Sequence, residues 1–274
     1  MPRAFQMVRI RTGQRGFSLI ELMIAVLIAL FLLGGLVTLV MGTRRTGATQ
    51  TALSQLQDNQ RIAMTMITNI IQKAGYFPDP VHQQLSTFTN ETIGTLNLPA
   101  GQVLGGTYSA AAPGDTFAAR FFAPPNDTTT GTAIIDCSGQ SNATASSNVW
   151  YTDMFTVGLV NGTSWLQCQS QTGGAAGTLL VINLIPNVTN ISVLYGVASG
   201  AGGDDYSVVQ YLNAAQVSAA NSWTNITVVK VTLTFQLPAY GTTGGQMTNC
   251  ATTPLCTSTF TRVIPIMSRA GVDT

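Results

Sequence analysis

Between Leu22 and Thr43 no residue carries a charge, and the run from Phe17 to Met41 is apolar apart from Ser18, Glu21 and Thr38. At about 1.5 Å per residue, a helix from Phe17 to Val40 spans roughly 36 Å, enough to cross a hydrocarbon core of about 30 Å with some tilt. Ahead of this run lie four of the chain's twelve basic residues, Arg3, Arg9, Arg11 and Arg15, with no acid among them; Arg44 and Arg45 follow it. That asymmetry favours a cytoplasmic N-terminus with the remainder outside.

The stretch from Arg44 to Ala74 contains no proline, and its apolar residues Leu53, Leu56, Ala63, Ile67, Ile70 and Ala74 recur at spacings of three, four and seven. This is the stripe of an amphipathic helix that covers a core. Gly75, with Pro78 and Pro80 beyond it, supplies the stop. Phe17 to Ala74 therefore reads as one continuous or briefly interrupted helix. Gly34, Gly35, Gly42 and Gly47 are its weak points, each costing up to about 1 kcal/mol relative to alanine.

From Gly75 onward, short apolar runs alternate with Gly, Asn, Pro and Ser clusters. Strands are expected at Phe117–Phe122, Val149–Val160, Trp165–Cys168, Thr178–Ile185, Val188–Val197, Tyr206–Leu212, Ile226–Leu237 and Phe260–Met267. In the seventh, Val229, Val231, Leu233, Phe235 and Leu237 alternate with Lys230, Thr232, Thr234 and Gln236, giving one buried and one wet face. The expected fold is α+β: a long N-terminal helix, membrane-embedded in its first half, packed on an antiparallel β-sheet head with disulfide-bonded loops.

Composition narrows the function. Only 8% of the 274 residues are charged and the net charge is +1, which argues against a nucleic-acid binder that needs clustered Lys and Arg to neutralise phosphates. The aromatics Trp150, Tyr151, Trp165, Trp223 and Tyr240 have few basic neighbours and read as packing residues. No Walker loop, G-x-S-x-G elbow or H-E-x-x-H is present, and the single His82 limits His-assisted catalysis, so no enzymatic activity and no cofactor are expected. The four cysteines all follow the apolar run. An even count outside the cytoplasm points to disulfides, and four cysteines allow three connectivities. The favoured one joins Cys137 to Cys168 and Cys250 to Cys256. A zinc site is the sharper alternative but lacks close Cys or His pairs. Asp204 and Asp205, in a Gly-rich turn, are a weak cation candidate without the spaced oxygen ligands of a calcium loop. The Asn-x-Ser/Thr triplets at Asn142, Asn187 and Asn225 read as chance in an Asn- and Thr-rich chain.

Leader and apolar run meet at Arg15-Gly16-Phe17-Ser18-Leu19-Ile20-Glu21. The segment GFSLIELMIAVLIALFLLGG closely resembles the N-terminus of type IV pilins and pseudopilins, the class III signal. The resemblance implies cleavage of residues 1–16 by a prepilin peptidase between Gly16 and Phe17 and N-methylation of Phe17. It also implies a filament-core helix over 17–41, an amphipathic continuation over 42–75 and an external β-rich head over 76–274. Shorter motifs resemble the PilW-type minor pilins: Gln57-Asp58-Asn59-Gln60-Arg61, Ala74-Gly75-Tyr76-Phe77, Asp136-Cys137-Ser138-Gly139, Leu166-Gln167-Cys168, and Leu180 to Val197 ending Tyr195-Gly196. Thr38 and the absence of proline in the helix are small departures. The implied partners are other minor pilins and the major pilin, the prepilin peptidase, the inner-membrane assembly platform and a tip adhesin, with roles in motility or adhesion. A type II secretion pseudopilin is the alternative, and a membrane-anchored envelope enzyme or binding protein is the alternative of another class.

Glu21 can be argued independently of that resemblance. A carboxylate inside a membrane span costs at least about 2.5–3.5 kcal/mol on insertion scales, so it needs a partner. The amine freed at Phe17 lies four residues away on the same helical face, and a neighbour's amine would serve equally. The other reading places Glu21 at headgroup level, solvated near the helix start.

Overall fold

A computed structural model describes residues 16–78, 87–126, 133–143, 147–173, 179–199, 207–236 and 257–269. The chain divides into two units, with the boundary between Leu53 and Ser54.

Helix α1 runs unbroken from Leu19 to Lys73, 55 residues through all four glycines. In the first unit every residue of known exposure from Gly16 to Thr46 is exposed, as expected of a surface apolar all round. In the second unit the helix buries Leu56, Ala63, Met64, Ile67, Ile70 and Ile71, and Ala74, just past its end, is buried with them. Two of these, Met64 and Ile71, widen the expected stripe. Leu53 departs from it and is 47% exposed, ahead of Leu56, the first buried position. Gly75, at φ +73, ends the helix and donates its N–H to the Arg120 carbonyl.

The head is built of antiparallel sheet as expected, and among the described residues its strands form three sheets. Strands β1 (Glu91–Ile93) and β2 (Leu96–Leu98) form a short hairpin. A five-stranded meander contains β3 (Leu104–Thr107), β4 (Thr116–Ala123), β5 (Val149–Val160), β6 (Thr163–Thr172) and β7 (Leu180–Pro186), in that order. The third sheet comprises β8 (Val188–Ala198), β9 (Val208–Leu212), β10 (Ile226–Gln236) and β11 (Thr257–Pro265), in the order β11-β10-β8-β9. A six-residue helix, α2 (Ala214–Ala219), is closed by a capping box between Asn213 and Gln216.

Two asparagines with positive φ set the connections. Asn161 (φ 49) and Gly162 (φ 79) make the two-residue turn between β5 and β6, the Asn-Gly preference of a primed hairpin turn. Asn187 (φ 64) is the sole residue between β7 and β8, where the chain leaves one sheet for the other. The meander's β4–β6 face bearing Phe117, Phe121, Phe155 and Cys168 shares one core with the α1 stripe and with Val229, Val231, Leu233 and Phe235 of β10. The opposite face is partly covered by the hairpin, which forms a second small core from Ile93, Leu96, Leu98, Ala118 and Met154. This two-sided cover explains why seven of the eight residues in β4 are buried.

Most expected strands are present, with shifted ends. The fourth, sixth and seventh strand expectations extended to Thr178, Tyr206 and Leu237, which lie outside the described residues. The third, expected over Trp165–Cys168, extends to Thr163–Thr172, because buried Ser170 and Gln171 continue the ladder where hydrophobicity alone had ended it. The last begins at Thr257 and closes in a 3-10 turn at Met267–Arg269. Strands β1, β2 and β3 are additions, each three or four residues long and too short to show periodicity.

Candidate functional site: the apolar helix and its charged first turn

The functional segment begins at Gly16 and Phe17, both exposed ahead of the helix, with Phe17 at 79%. Ser18 caps α1: its Oγ accepts the Glu21 N–H at 3.3 Å and its carbonyl accepts the same N–H at 3.1 Å. The Ser18-x-x-Glu21 spacing is the sequence signature of a capping box, a signal available in the sequence but not used above. Glu21, the acid of the first turn, is exposed and stands at the positive end of the helix macrodipole.

From Leu19 to Met41 the large apolar side chains are 38% to 81% exposed. The helix is long and apolar enough to cross a membrane. Its hydroxyls are internally satisfied, since Thr38 Oγ1 donates to the Gly35 carbonyl at 2.8 Å and Thr43 Oγ1 to the Val40 carbonyl at 3.0 Å. Such back-bonding lets threonine sit in an apolar medium without an orphaned donor.

The head carries two buried polar clusters, one on each face of the meander. On the face toward the main core, Asp153 Oδ2 accepts the Cys137 N–H at 2.8 Å, and Asp136 Oδ2 accepts the Ser170 hydroxyl at 2.8 Å. Burial pushes the Asp153 carboxyl up to about 7, with the Asp136 charge adding to the rise and Ser170, Cys137 and Lys73 opposing it. Half-buried Lys73, in the last turn of α1, donates to the Ile135 carbonyl at 2.9 Å. Desolvation lowers its pKa against the pull of Asp153 and Asp136. On the opposite face Arg120, fully buried, pairs with Glu91 at 3.3 Å and donates to the carbonyls of Leu98, Pro99 and Gln102. Glu91 also accepts the Thr152 hydroxyl at 2.5 Å. Neither cluster was legible beforehand, although a lone arginine inside TFAARFFA is an anomaly that marks a partner.

Cys137 and Cys168 form a disulfide with Cα atoms 6.0 Å apart, tying the 133–143 loop to β6. Cys250, Cys256, Asp204, Asp205, His82 and Tyr240 lie outside the described residues. Trp150 packs on Phe122 and Trp223 on Tyr195, as packing residues do. The Asn142 amide is buried, donating to the carbonyls of Ala123 and Ser147. Among the described residues no group of three metal-ligating side chains converges.

The sequence was compared with known proteins. Residues 11–37 match the profile of the prokaryotic N-terminal methylation motif. Residues 154–256 match that of type IV pilus-assembly protein W. No curated protein matches the chain. Among solved structures, a chain of the GspK-GspI-GspJ complex from the enterotoxigenic Escherichia coli type 2 secretion system aligns with 78% of this chain and 97% of its own. The identity is 13% and the TM-score 0.37. The methylation motif, read with the long apolar helix and the antiparallel head, defines the class: a membrane-anchored protein of the type IV pilin kind. The PilW match narrows the likeness: over residues 154–256 the head is similar to the type IV pilus-assembly protein W.

Proposed function

We propose that the chain is cut between Gly16 and Phe17 by a prepilin peptidase, N-methylated at Phe17, and held in the bacterial inner membrane with its N-terminus in the cytoplasm. It then enters a type IV pilus as a subunit of the priming or tip complex, beside other minor pilins and the major pilin. The inner-membrane platform extracts it, and a tip adhesin is a further partner. Motility or adhesion is the outcome the complex serves. The role is mechanical rather than catalytic.

The observation that carries this reading is an uncharged helix surface, exposed all round, on a chain whose head closes its own core. Lipid satisfies that surface before assembly. Neighbouring helices of the same character satisfy it afterward, so transfer between the two exchanges one apolar environment for another.

The test is mass analysis of the N-terminus of protein from native membranes, combined with its detection in sheared pili. N-methyl-Phe17 and recovery with the pili are expected. A start near Gly42 or an intact Met1 overturns the pilin reading, and recovery only with a secretion apparatus transfers the chain to the pseudopilins.

A further inference from the structure

The Asp136–Gln140 turn and the last turn of α1 meet the meander at a carboxylate that has no place in filament mechanics. Asp153 is fully buried, and among the described residues its Oδ1 has no hydrogen-bond partner. Its Oδ2 holds the Cys137 N–H, next to the disulfide that pins the same loop to β6. Asp136, 4% exposed, organises the turn: Oδ1 accepts the N–H groups of Ser138 and Gln140 and the Ser138 hydroxyl, while Oδ2 reaches Ser170 on β6. One loop is therefore held to the sheet through two neighbouring carboxylates and a disulfide.

The charged and titratable groups facing Asp153 can be counted element by element among the described residues. Lys73 comes from α1, Asp136 from the loop and Tyr151 from β5 itself. Strand β6 offers the Ser170 hydroxyl and the disulfide-bonded Cys168, and β4 places Ala119 opposite. Arg120 and Glu91 are paired on the other face of the sheet. With both carboxylates ionised, the pocket holds two negative charges against one positive. With Asp153 protonated, the balance is neutral, and no ionised carboxylate has to be held out of water there.

We propose that Asp153 is a proton-operated latch: protonated, it seals the Asp136–Gln140 turn and the end of α1 onto the meander, and ionised, it favours a hydrated, opened loop.

The sign follows from linkage. The closed state binds the proton more tightly than the opened one, so the latch is tightest below the ordinary carboxylate range. It weakens as pH rises through the window from about 4 to about 7 and levels off above it. Within that window the opening constant rises by up to about tenfold per pH unit. A head exposed to the cell's surroundings would thus be more rigid at this corner in mildly acidic conditions.

The experiment uses the full chain in detergent micelles with carboxyl-labelled aspartate, titrated by carbon NMR, alongside hydrogen exchange of the peptide spanning 136–140. Asp153 is expected to titrate near neutrality. The opening constant of that peptide, corrected for intrinsic exchange, is expected to fall by roughly tenfold or more between pH 7 and pH 5. The Asp153→Asn variant keeps an acceptor for Cys137 and should lose that pH response, whereas Asp58→Asn, on the exposed face of α1, should retain it. Titration of Asp153 in the ordinary carboxylate range, or a response that persists in Asp153→Asn, overturns the proposal. If Asp153→Asn does not fold, the titration of the unmodified chain decides alone.

Discussion

Arg120 and Glu91 show what a single residue can do to a sheet. An ion pair with both side chains sealed from water is held by geometry: three backbone carbonyls and Thr152 satisfy most of its polar atoms, leaving, among the described residues, Glu91 Oε1 without a hydrogen-bond partner and Arg120 Nε with the ion-pair contact alone. Replacing such a pair with well-packed apolar residues is often neutral, while removing one partner leaves a buried, uncompensated charge. Glu91→Ala is therefore expected to destabilise the head by about 3–5 kcal/mol in urea unfolding, and Glu91→Leu with Arg120→Met to recover most of that loss. A double variant as unstable as the single one would show that the pair is worth more than its burial costs. At this scale the sequence was least informative. Arg120 sits in an apolar run, and its partner is 29 positions away on a three-residue strand with no periodicity of its own. By contrast, Glu21 was recognisable because its surroundings are uncharged for a full membrane span.

At the scale of elements, local pattern decided how much could be read. Strand β10 alternates cleanly because one of its faces is wet, and the buried Val229, Val231, Leu233 and Phe235 follow that alternation. Strands β4 and β5 are covered on both faces over much of their length, so they read as apolar runs with no face assigned. The sheet that pairs β4 with β5 and β6 is secured by the Cys137–Cys168 disulfide, whose loop of 31 residues is long enough for the chain-entropy effect to be substantial. Cys137→Ser with Cys168→Ser should cost about 3–4 kcal/mol on that model, measured as a lowered urea midpoint with little change in slope. A large change in slope would mean that the disulfide also compacts the unfolded ensemble beyond closing its own loop. The stripe of α1 was legible in period but not in extent: Met64 and Ile71 flank it at the positions that broaden a seam into a core-covering face.

At the scale of the whole molecule, the average charge conceals a division of labour. Removing the four leader arginines from twelve basic residues, against eleven acids, leaves a formal balance of −3 on the processed chain. Glu21 is the sole acid of the apolar segment 17–41, and in the proposed filament that segment packs against the same segment of other subunits. In a bundle of parallel apolar helices, dispersion and side-chain packing tolerate axial slippage, and a buried charged contact is the feature best suited to fix register. If the chain is cut as proposed, the amine freed at Phe17, on a neighbour or on the same chain, is the cation at hand. Glu21→Ala should leave cleavage and N-methylation at Phe17 intact, because in the proposed sequence those steps act at the Gly16–Phe17 junction before assembly. It should deplete the protein from sheared pili by roughly tenfold or more, since loss of about 1.4 kcal/mol at one subunit contact already shifts an equilibrium tenfold. Quantitative immunoblots of membrane and sheared fractions separate the two steps, and wild-type levels of Glu21→Ala in the pili would overturn the register role of this carboxylate.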